Sequence, residues 1–147
     1  MKTIIDTNTI TELISRINLL QTNSSAQWGK MDAYQMLKHC TLSEEMFHGK
    51  NSYKRLFIGM LFGSMALKGI LKNDDPIKKN QPTHPAMKIS GTGDFEKEKA
   101  KWIKLIQGYE SYSSDNFIHP FFGKMTTKQI GHYVYKHTDH HLRQFGH

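Results

Sequence analysis

The strongest constraint in this sequence is an apolar stripe near the C-terminus that ends in two histidines. Ile130, Val134, His137 and His141 follow one another at spacings of four, three and four residues. This spacing is typical of the buried face of an α-helix. His137 and His141 are then expected on one face, about 5–6 Å apart between their Cβ atoms. Two imidazoles at that separation can share a metal ion, and imidazole binds zinc, copper, iron and nickel.

A cluster of histidines can also be a solvated tail or the remnant of a purification tag. The chain has nine histidines, and His140 and His147 lie close to the pair. Residues 142–145 interrupt the run with Leu, Arg, Gln and Phe, unlike a homopolymeric tag. Because the pair continues an apolar face, its imidazoles need polar partners, and a shared metal ion would satisfy both.

The composition limits the classes of protein that this chain can represent. Its 147 residues fit one domain, residues 1–147, with a hydrophobic core. No secretory signal is evident, and Cys40 is the only cysteine, which excludes an internal disulfide framework and suits a reducing compartment. We therefore expect a cytoplasmic, bacterial-type protein. The formal net charge of +7 attracts anions, but no dense basic tract is present, so nucleic acid is not expected as a partner.

Capping signals and helical periodicity predict four principal helices. They cover residues 9–21, 32–48, 95–112 and 127–144. The first, second and fourth begin at capping-box patterns in residues 9–12, 32–35 and 126–129. Asp94 is the expected cap of the third, and residues 113–124 form a loop. Because no segment shows the alternation of a strand, the predicted fold is all-α.

A long connection, residues 51–93, separates the second and third predicted helices. Inside it, residues 56–67 are uncharged and mostly apolar, and Gly59 and Gly63 form a GxxxG pair. A stretch of twelve residues is too short to span a bilayer, so no membrane span is expected. We expect an extra helix that is buried or lies across the bundle. An interfacial membrane contact or a dimer surface is the alternative.

His39 is the best candidate for a third metal ligand. It lies on an apolar stripe in the N-terminal half of the second helix, whereas His137 and His141 lie in the C-terminal half of the fourth. These two helices must be antiparallel for the histidines to meet. Short loops make helices one and two, and three and four, antiparallel. The resulting four-helix bundle is up-down-down-up, and residues 51–93 supply the crossover that this order requires.

Other chemistries fit the sequence less well. Thr138 follows His137 where a zincin motif needs the Glu of HExxH. A di-iron bundle needs two Glu-x-x-His motifs, and only the one that starts at Glu45 is present. His132 faces elsewhere on the fourth helix, and His119, which precedes a proline, is more typical of a structural turn. The histidine triad is therefore the best-supported candidate site.

Four further residues are predicted to lie around this site. Gln144 follows His141 by three residues, so it can reach the same helix face and support a ligand or line a pocket. His140 is expected beside the site or facing solvent. Tyr34 and Phe121 are candidates for the lining of its entrance.

The chain resembles the DinB/YfiT-like superfamily in four short motifs. Within that superfamily it is most similar to an uncharacterised branch. The four motifs are Trp28-Gly29-Lys30-Met31, Gln35-Met36-Leu37-Lys38-His39-Cys40, His119-Pro120-Phe121-Phe122-Gly123 and Lys136-His137-x-x-His140-His141-x-x-Gln144-Phe145-Gly146. The resemblance covers nearly the whole chain, and the last motif is the most specific. It implies a four-helix bundle with a divalent metal ion held by His39, His137 and His141. The 51–93 segment is longer than the crossover of simpler relatives, so it is a candidate lid or oligomer face.

The resemblance also implies a class of activity. Relatives include thiol-dependent S-transferases and isomerases that use low-molecular-weight thiols, and enzymes described as metal-dependent hydrolases. We expect a metal-dependent enzyme that acts on a small molecule, with zinc or nickel as the ion and a low-molecular-weight thiol as a candidate cofactor. The alternatives are a non-catalytic metal- or small-ligand-binding bundle, a bundle without a physiological metal, and a membrane-surface protein that uses residues 56–67. A homodimer is left open.

Overall fold

The computed structural model describes residues 1–114 and 116–147, and within them the chain is mostly helical. The five α-helices are α1 (Thr7–Asn18), α2 (Ala33–Phe47), α3 (Phe57–Ile70), α4 (Phe95–Gln107) and α5 (Thr127–Gln144). Two 3₁₀ turns, Pro85–Met87 and Gly108–Ser111, and an antiparallel pair of strands, β1 (Ile118–His119) and β2 (Gly123–Lys124), are also present. The helical prediction is confirmed, whereas this small sheet departs from an all-α fold. Asp115, in the predicted 113–124 loop, lies outside the described residues.

Three of the four predicted helix starts are confirmed by their caps. Asp32 and Thr126 form complete capping boxes with Gln35 and Gln129 at the starts of α2 and α5. The Asp94 carboxylate accepts a hydrogen bond from a backbone N–H in the first turn of α4. These local signals therefore fix where α2, α4 and α5 begin.

The prediction for α1 is wrong at its start. The Asp6 carboxylate accepts a hydrogen bond of 2.9 Å from the Thr9 N–H, so the helix begins at Thr7 and Thr9 is not its cap. Two predicted C-terminal boundaries also differ. α1 ends at Asn18, and α4 ends at Gln107, where a 3₁₀ turn that begins with Gly108 continues the chain. Glycine has a low helix propensity, which accounts for the early end of α4.

Helices α1, α2, α4 and α5 contribute to one apolar core. Fully buried side chains come from each of them: Leu13 and Ile17, Met36 and Leu37, Trp102 and Ile106, and Ile130 and Val134. Ion pairs join Lys38 to Glu98 at 3.5 Å and Glu45 to Lys101 at 2.7 Å, so α2 and α4 run in the same direction. A long crossover connection between two neighbouring helices produces this parallel arrangement.

α2 and α5 run in opposite directions. Near the end of α2 the Phe47 ring lies 6.0 Å from the Tyr133 ring, in the first half of α5. Near its start the His39 ring lies 4.9 Å from the His141 ring, close to the end of α5. The start of α2 therefore meets the end of α5, as the metal-site hypothesis requires.

α3 differs from the expectation of a buried helix. Its Gly59, Gly63 and Leu67 are buried. A Cβ atom on Gly63 would overlap with the Phe121 carbonyl oxygen, and one on Gly59 would also be too close to it. The two glycines thus let α3 lie directly on the backbone of the 120–123 turn. Six large apolar side chains on the other sides of the helix are exposed: Phe57, Ile58, Met60, Leu61, Phe62 and Met65.

The chain that follows α3 is tied to α5 and α2. The Lys136 ammonium group donates hydrogen bonds to the carbonyl oxygens of Ile70 at 2.6 Å and Asn73 at 2.7 Å. Met87 is buried, and its carbonyl oxygen lies 3.1 Å from His39 Nδ1. The second half of the crossover therefore passes beside the histidines of α2 and α5.

Candidate metal centre

Three histidines from two helices converge at one point. His39 of α2 and His137 and His141 of α5 each offer a ring nitrogen, and these nitrogens lie within 4.8 Å of one another. His39 and His141 are each 6% exposed, and the Nδ1 atom of His137 is buried. Packing of antiparallel α2 and α5 positions all three rings. The structure thus brings together the three residues that the sequence singles out.

A backbone carbonyl fixes the protonation of His39. Its Nδ1 lies 3.1 Å from the Met87 carbonyl oxygen. A carbonyl oxygen only accepts hydrogen bonds, so Nδ1 carries the proton and donates it. The Nε2 atom then carries the lone pair, and it lies 3.4 Å from His137 Nε2. The irregular chain that contains Met87 therefore helps to prepare a ligand nitrogen.

Two consecutive hydrogen bonds fix the protonation of His141. The Gln144 Nε2 donates a hydrogen bond of 2.8 Å to the Trp28 carbonyl oxygen, which sets the orientation of the Gln144 amide. Its Oε1 therefore accepts the 2.9 Å hydrogen bond from His141 Nδ1. As in His39, the Nε2 lone pair is left available. An acceptor on the far nitrogen of a ligand histidine is the usual arrangement in metal sites.

His137 is held by packing and lacks such an acceptor. Its ring stacks on the Tyr133 ring, with centroids 5.8 Å apart and planes at 16°. Its Nδ1 is buried and has no hydrogen-bond partner among the described residues. Its Nε2 lies 3.4 Å from His39 Nε2. Two nitrogen atoms of a tetrahedral zinc site, each about 2.0–2.1 Å from the ion, are also about 3.4 Å apart.

Burial keeps the three imidazoles neutral. Desolvation lowers the pKa of His39, although the hydrogen bond to Met87 acts in the opposite direction. The pKa values of His137 and His141 are lowered further, first by burial and then by the charges that neighbouring histidines would carry. Metal binding needs the neutral form of imidazole. Three neutral nitrogens in one buried place therefore fit a divalent cation.

The donor set is incomplete for a closed structural site. Within the described residues, the cluster of histidine, cysteine and acidic side chains contains these three members and no fourth. Cys40, although next to His39 in sequence, is fully buried with its sulfur 3.7 Å from the Met36 sulfur. Burial raises the pKa of its thiol well above the ordinary value. Structural zinc sites are almost always closed by four protein ligands, whereas three ligands leave a position open.

His140 lies beside the triad. Its ring centroid is 5.1 Å from that of His141, and its Nδ1 is 3.2 Å from the Ile77 carbonyl oxygen in the crossover. The ring therefore connects the triad to the neighbouring surface, consistent with the adjacent position predicted for it.

A small cleft borders His140. It has a volume of about 180 Å³, and Trp28, Lys79 and Arg143 are among its lining residues. The Lys79 ammonium lies 4.3 Å from the centroid of the Trp28 ring, a cation–π contact. Arg143 is half exposed and 3.9 Å from the Asp139 carboxylate. Two cations beside an aromatic face provide a suitable lining for a small anionic molecule.

The two other predicted pocket residues, Tyr34 and Phe121, have packing contacts outside the triad. The Tyr34 ring packs against Gly93, where a Cβ atom would overlap with it. Phe121 packs its backbone against α3 and its ring against Phe122, with centroids 5.4 Å apart. Among the described residues, neither ring makes an aromatic contact with the triad. Their proposed role at an entrance stays a prediction.

Three further histidines, His119, His132 and His48, have structural contacts. His119 Nδ1 accepts hydrogen bonds from the backbone N–H groups of Phe121 and Phe122, which closes the turn between β1 and β2. Burial lowers the pKa of His119 to about 3, so it is a neutral acceptor. His132 Nδ1 lies 2.9 Å from the Lys2 carbonyl oxygen, and His48 Nε2 lies 2.9 Å from that of Leu105.

Sequence reasoning missed three groups at this site. The Met87 carbonyl holds the His39 imidazole, and the Trp28 carbonyl orients Gln144, which in turn holds His141, but a backbone carbonyl has no sequence signature. Tyr133 could have been found, because it precedes His137 by four residues and thus shares its helix face.

Comparison with known families places the chain in one of them. A family described as "Protein of unknown function (DUF1569)" matches residues 2–147. The chain belongs to this family. Comparison with curated proteins found no match, and comparison with solved structures found none either. Membership in DUF1569 therefore does not indicate which activity the chain has. The resemblance to the DinB-like superfamily stays a prediction.

Proposed function

We propose that this protein binds a divalent metal ion through His39, His137 and His141 and uses it to act on a small molecule. The observation that carries the proposal is the convergence of three ring nitrogens within 4.8 Å. Two of the rings donate their other N–H to an oxygen, so their free lone pairs face the centre. Among common metal ions, zinc and nickel both suit imidazole ligands.

The number of candidate ligands supports a catalytic role, because an ion held by three protein ligands keeps a coordination position for water or substrate. Three neutral ligands leave the charge of the cation uncompensated. The chemistry that such an ion supplies when bound is a lower pKa for a coordinated water or thiol. Lys79 and Arg143 line the cleft beside His140, and their positive charge favours an anionic substrate or an anionic low-molecular-weight thiol. Hydrolysis and thiol-dependent S-transfer are the two reaction classes that this arrangement supports.

We further infer that α1, α2, α4 and α5 form the up-down-down-up bundle of the DinB-like superfamily. Parallel α2 and α4 and antiparallel α2 and α5 support this topology. α1 also fits, because Ile4 bonds to Gly131 and Arg16 pairs with Asp139, which makes it parallel to α5. A single domain spanning residues 1–147 is part of this proposal.

Metal analysis of protein purified without a histidine tag is the first test. The purified chain should bind one zinc or nickel ion per molecule in a titration followed by elemental analysis. His39→Ala, His137→Ala and His141→Ala should each lose stoichiometric binding, because two imidazoles leave the site too weak. Screening with low-molecular-weight thiols and with ester and amide substrates should then reveal turnover that His137→Ala lacks.

His132→Ala is the matched control, because His132 lies on the same helix and outside the triad. It should bind metal as the wild type does. Stoichiometric binding retained by His141→Ala would contradict the metal site. Metal binding without turnover in any screen would instead assign the protein to the non-catalytic binding class.

A separate prediction concerns Gln144. Gln144→Ala removes the acceptor of the His141 Nδ1–H and the link to Trp28. Loss of such a partner weakens metal affinity about 10–100-fold. Competition with a chromophoric chelator measures this change. Gln107→Ala, which replaces an exposed glutamine at the end of α4, should keep wild-type affinity. Equal affinity in both variants would rule out the supporting role of Gln144.

A further inference from the structure

α3 presents an unusually apolar surface to solvent. Phe57 is 73% exposed, Met65 64%, Leu61 61% and Ile58 58%. Met60 and Phe62 are at least half exposed as well. An isolated exposed apolar residue is ordinary, whereas a contiguous patch of this kind marks a site of interaction with a protein or a membrane. None of these side chains belongs to the proposed metal centre, so the patch needs its own explanation.

The GxxxG pair does not account for this surface. In membranes such a pair commonly lets two helices approach each other closely. Here Gly59 and Gly63 already face the Phe121 backbone of the same chain, with no space for a Cβ atom. The glycine face of α3 is therefore occupied, and the large side chains form a separate outer face.

Positive charge surrounds this outer face. Residues 46–73 contain five cations and no Asp or Glu: Lys50, Lys54, Arg55, Lys68 and Lys72. All five are exposed, and none is within ion-pair distance of a carboxylate in the described part of the chain. They precede and follow the apolar residues along the chain. A complementary partner must therefore be apolar at its centre and anionic at its rim.

A second copy of this chain fits that requirement poorly. In a two-fold symmetric dimer the same patch occurs on both sides, so the cations of one α3 segment would approach those of the other, and residues 46–73 supply no carboxylate between them. The apolar side chains also span about 200° around the helix, at about 100° per residue. A single partner helix contacts a stripe nearer 100° wide. A surface into which the helix sinks can cover the wider arc.

We propose that α3 docks this protein on an anionic lipid bilayer. The helix lies in the plane of the interface, with Phe57, Leu61 and Met65 at the boundary between headgroups and acyl chains. The flanking lysines and Arg55 contact lipid phosphates. Apolar residues together with basic residues are the features of interfacial helices. No helix in the described residues is long and apolar enough to cross a membrane, so contact is confined to one leaflet.

Vesicle flotation tests this proposal with the full-length chain. Wild-type protein should float with vesicles of phosphatidylglycerol and phosphatidylcholine, bind pure phosphatidylcholine far more weakly, and be released by high salt. The triple variant Phe57→Gln, Leu61→Gln and Met65→Gln should lower the partition coefficient at least about 100-fold. Lys68→Gln with Lys72→Gln should lower it about 30-fold on anionic vesicles. All these positions are exposed, so the fold is expected to persist, and circular dichroism verifies it.

Matched controls are available elsewhere on the surface. Leu19→Gln changes a leucine that is as exposed as Leu61, at 61%, at the end of α1. Lys97→Gln with Lys104→Gln removes two exposed cations from α4. Both controls should bind vesicles like the wild type. The single variant Leu61→Gln gives an independent measurement if the triple variant misfolds.

Two outcomes would overturn the proposal. The first is a failure of the vesicle assay: the wild-type protein does not bind anionic vesicles, or it binds them and the α3 variants bind equally well. The second is a dimer, detected by light scattering, that the triple variant dissociates while no vesicle binding occurs. That second result would assign the outer face to another copy of the chain.

Discussion

Saturation with zinc is expected to raise the free energy of unfolding by about 4 kcal/mol at roughly a thousand times the dissociation constant. The reason is that His39, His137 and His141 converge only in the folded chain. His39 is 98 residues from His137 in sequence, so the unfolded chain cannot present the same three-histidine site. For a chain of this size, the midpoint of thermal unfolding should rise by about 10 °C. Thermal unfolding with added zinc and with chelator measures the difference.

Variants distinguish a specific site from weak surface binding. His132→Ala should keep the full zinc-induced increase. His132 lies on another part of α5, outside the triad, where its ring is hydrogen-bonded to the Lys2 carbonyl oxygen. His137→Ala should lose it, whatever the effect of the mutation on the metal-free protein. Stabilisation by zinc that persists in His137→Ala would place the ion elsewhere. A midpoint that zinc leaves unchanged in the wild type would contradict the proposed centre directly.

The helices and the triad follow from signals that are local or periodic. Complete capping boxes at Asp32 and Thr126 locate α2 and α5. The spacing of His137 and His141 on a buried stripe indicates that both face inward. The position of His39 along α2, combined with the loop lengths, then requires antiparallel helices. These inferences need only the period of the α-helix and the lengths of the loops, and both can be read directly from the sequence.

The supporting groups of the site could not be predicted in the same way. Met87 lies in an irregular crossover, and its carbonyl oxygen meets His39 only after the tertiary structure forms. The same holds for Trp28 and Gln144, which are 116 residues apart in sequence. Irregular backbone has no period, so its hydrogen-bond partners are decided by packing of the whole chain.

The expectation that α3 is buried, one of the two alternatives for this helix, failed for a different reason. A short apolar helix between cations has the same composition whether its outer face is buried or exposed. The pair Gly59 and Gly63 indicates a close approach, yet the approaching group is a turn of the same chain at Phe121. Only the structure shows that this contact uses one side of α3 and leaves the large side chains outside.

The second large effect is expected from Glu44, a fully buried carboxyl group on α2. Its Oε2 accepts a hydrogen bond of 2.5 Å from the Tyr109 hydroxyl, and its Oε1 has no partner among the described residues. Burial raises its pKa from the ordinary 4.5 to about 8, although the Tyr109 hydrogen bond acts in the opposite direction. The folded protein therefore holds a neutral carboxylic acid at neutral pH.

This neutral carboxyl makes stability depend on pH in a defined direction. Between about pH 4.5 and 8 the folded state retains a proton that the unfolded state releases. The contribution of Glu44 to the free energy of unfolding should fall as pH rises, by up to about 1.4 kcal/mol per pH unit, whereas buried histidines with lowered pKa values contribute in the opposite direction. The associated stability is fully present below pH 4.5 and is lost as pH rises through 8. At pH 7 the accumulated loss is about 3 kcal/mol.

Glu44→Gln should remove this dependence, because an amide of nearly the same shape stays neutral at every pH. We expect the variant to be about 3 kcal/mol more stable than the wild type at pH 7, and similar to it at pH 4.5. Urea unfolding at a series of pH values measures both slopes. Glu110→Gln removes an exposed carboxyl from the neighbouring 3₁₀ turn and should keep the wild-type slope. Equal slopes in Glu44→Gln and the wild type would show that Glu44 is not held neutral, because a group that titrates alike in both states cannot change the pH dependence of unfolding.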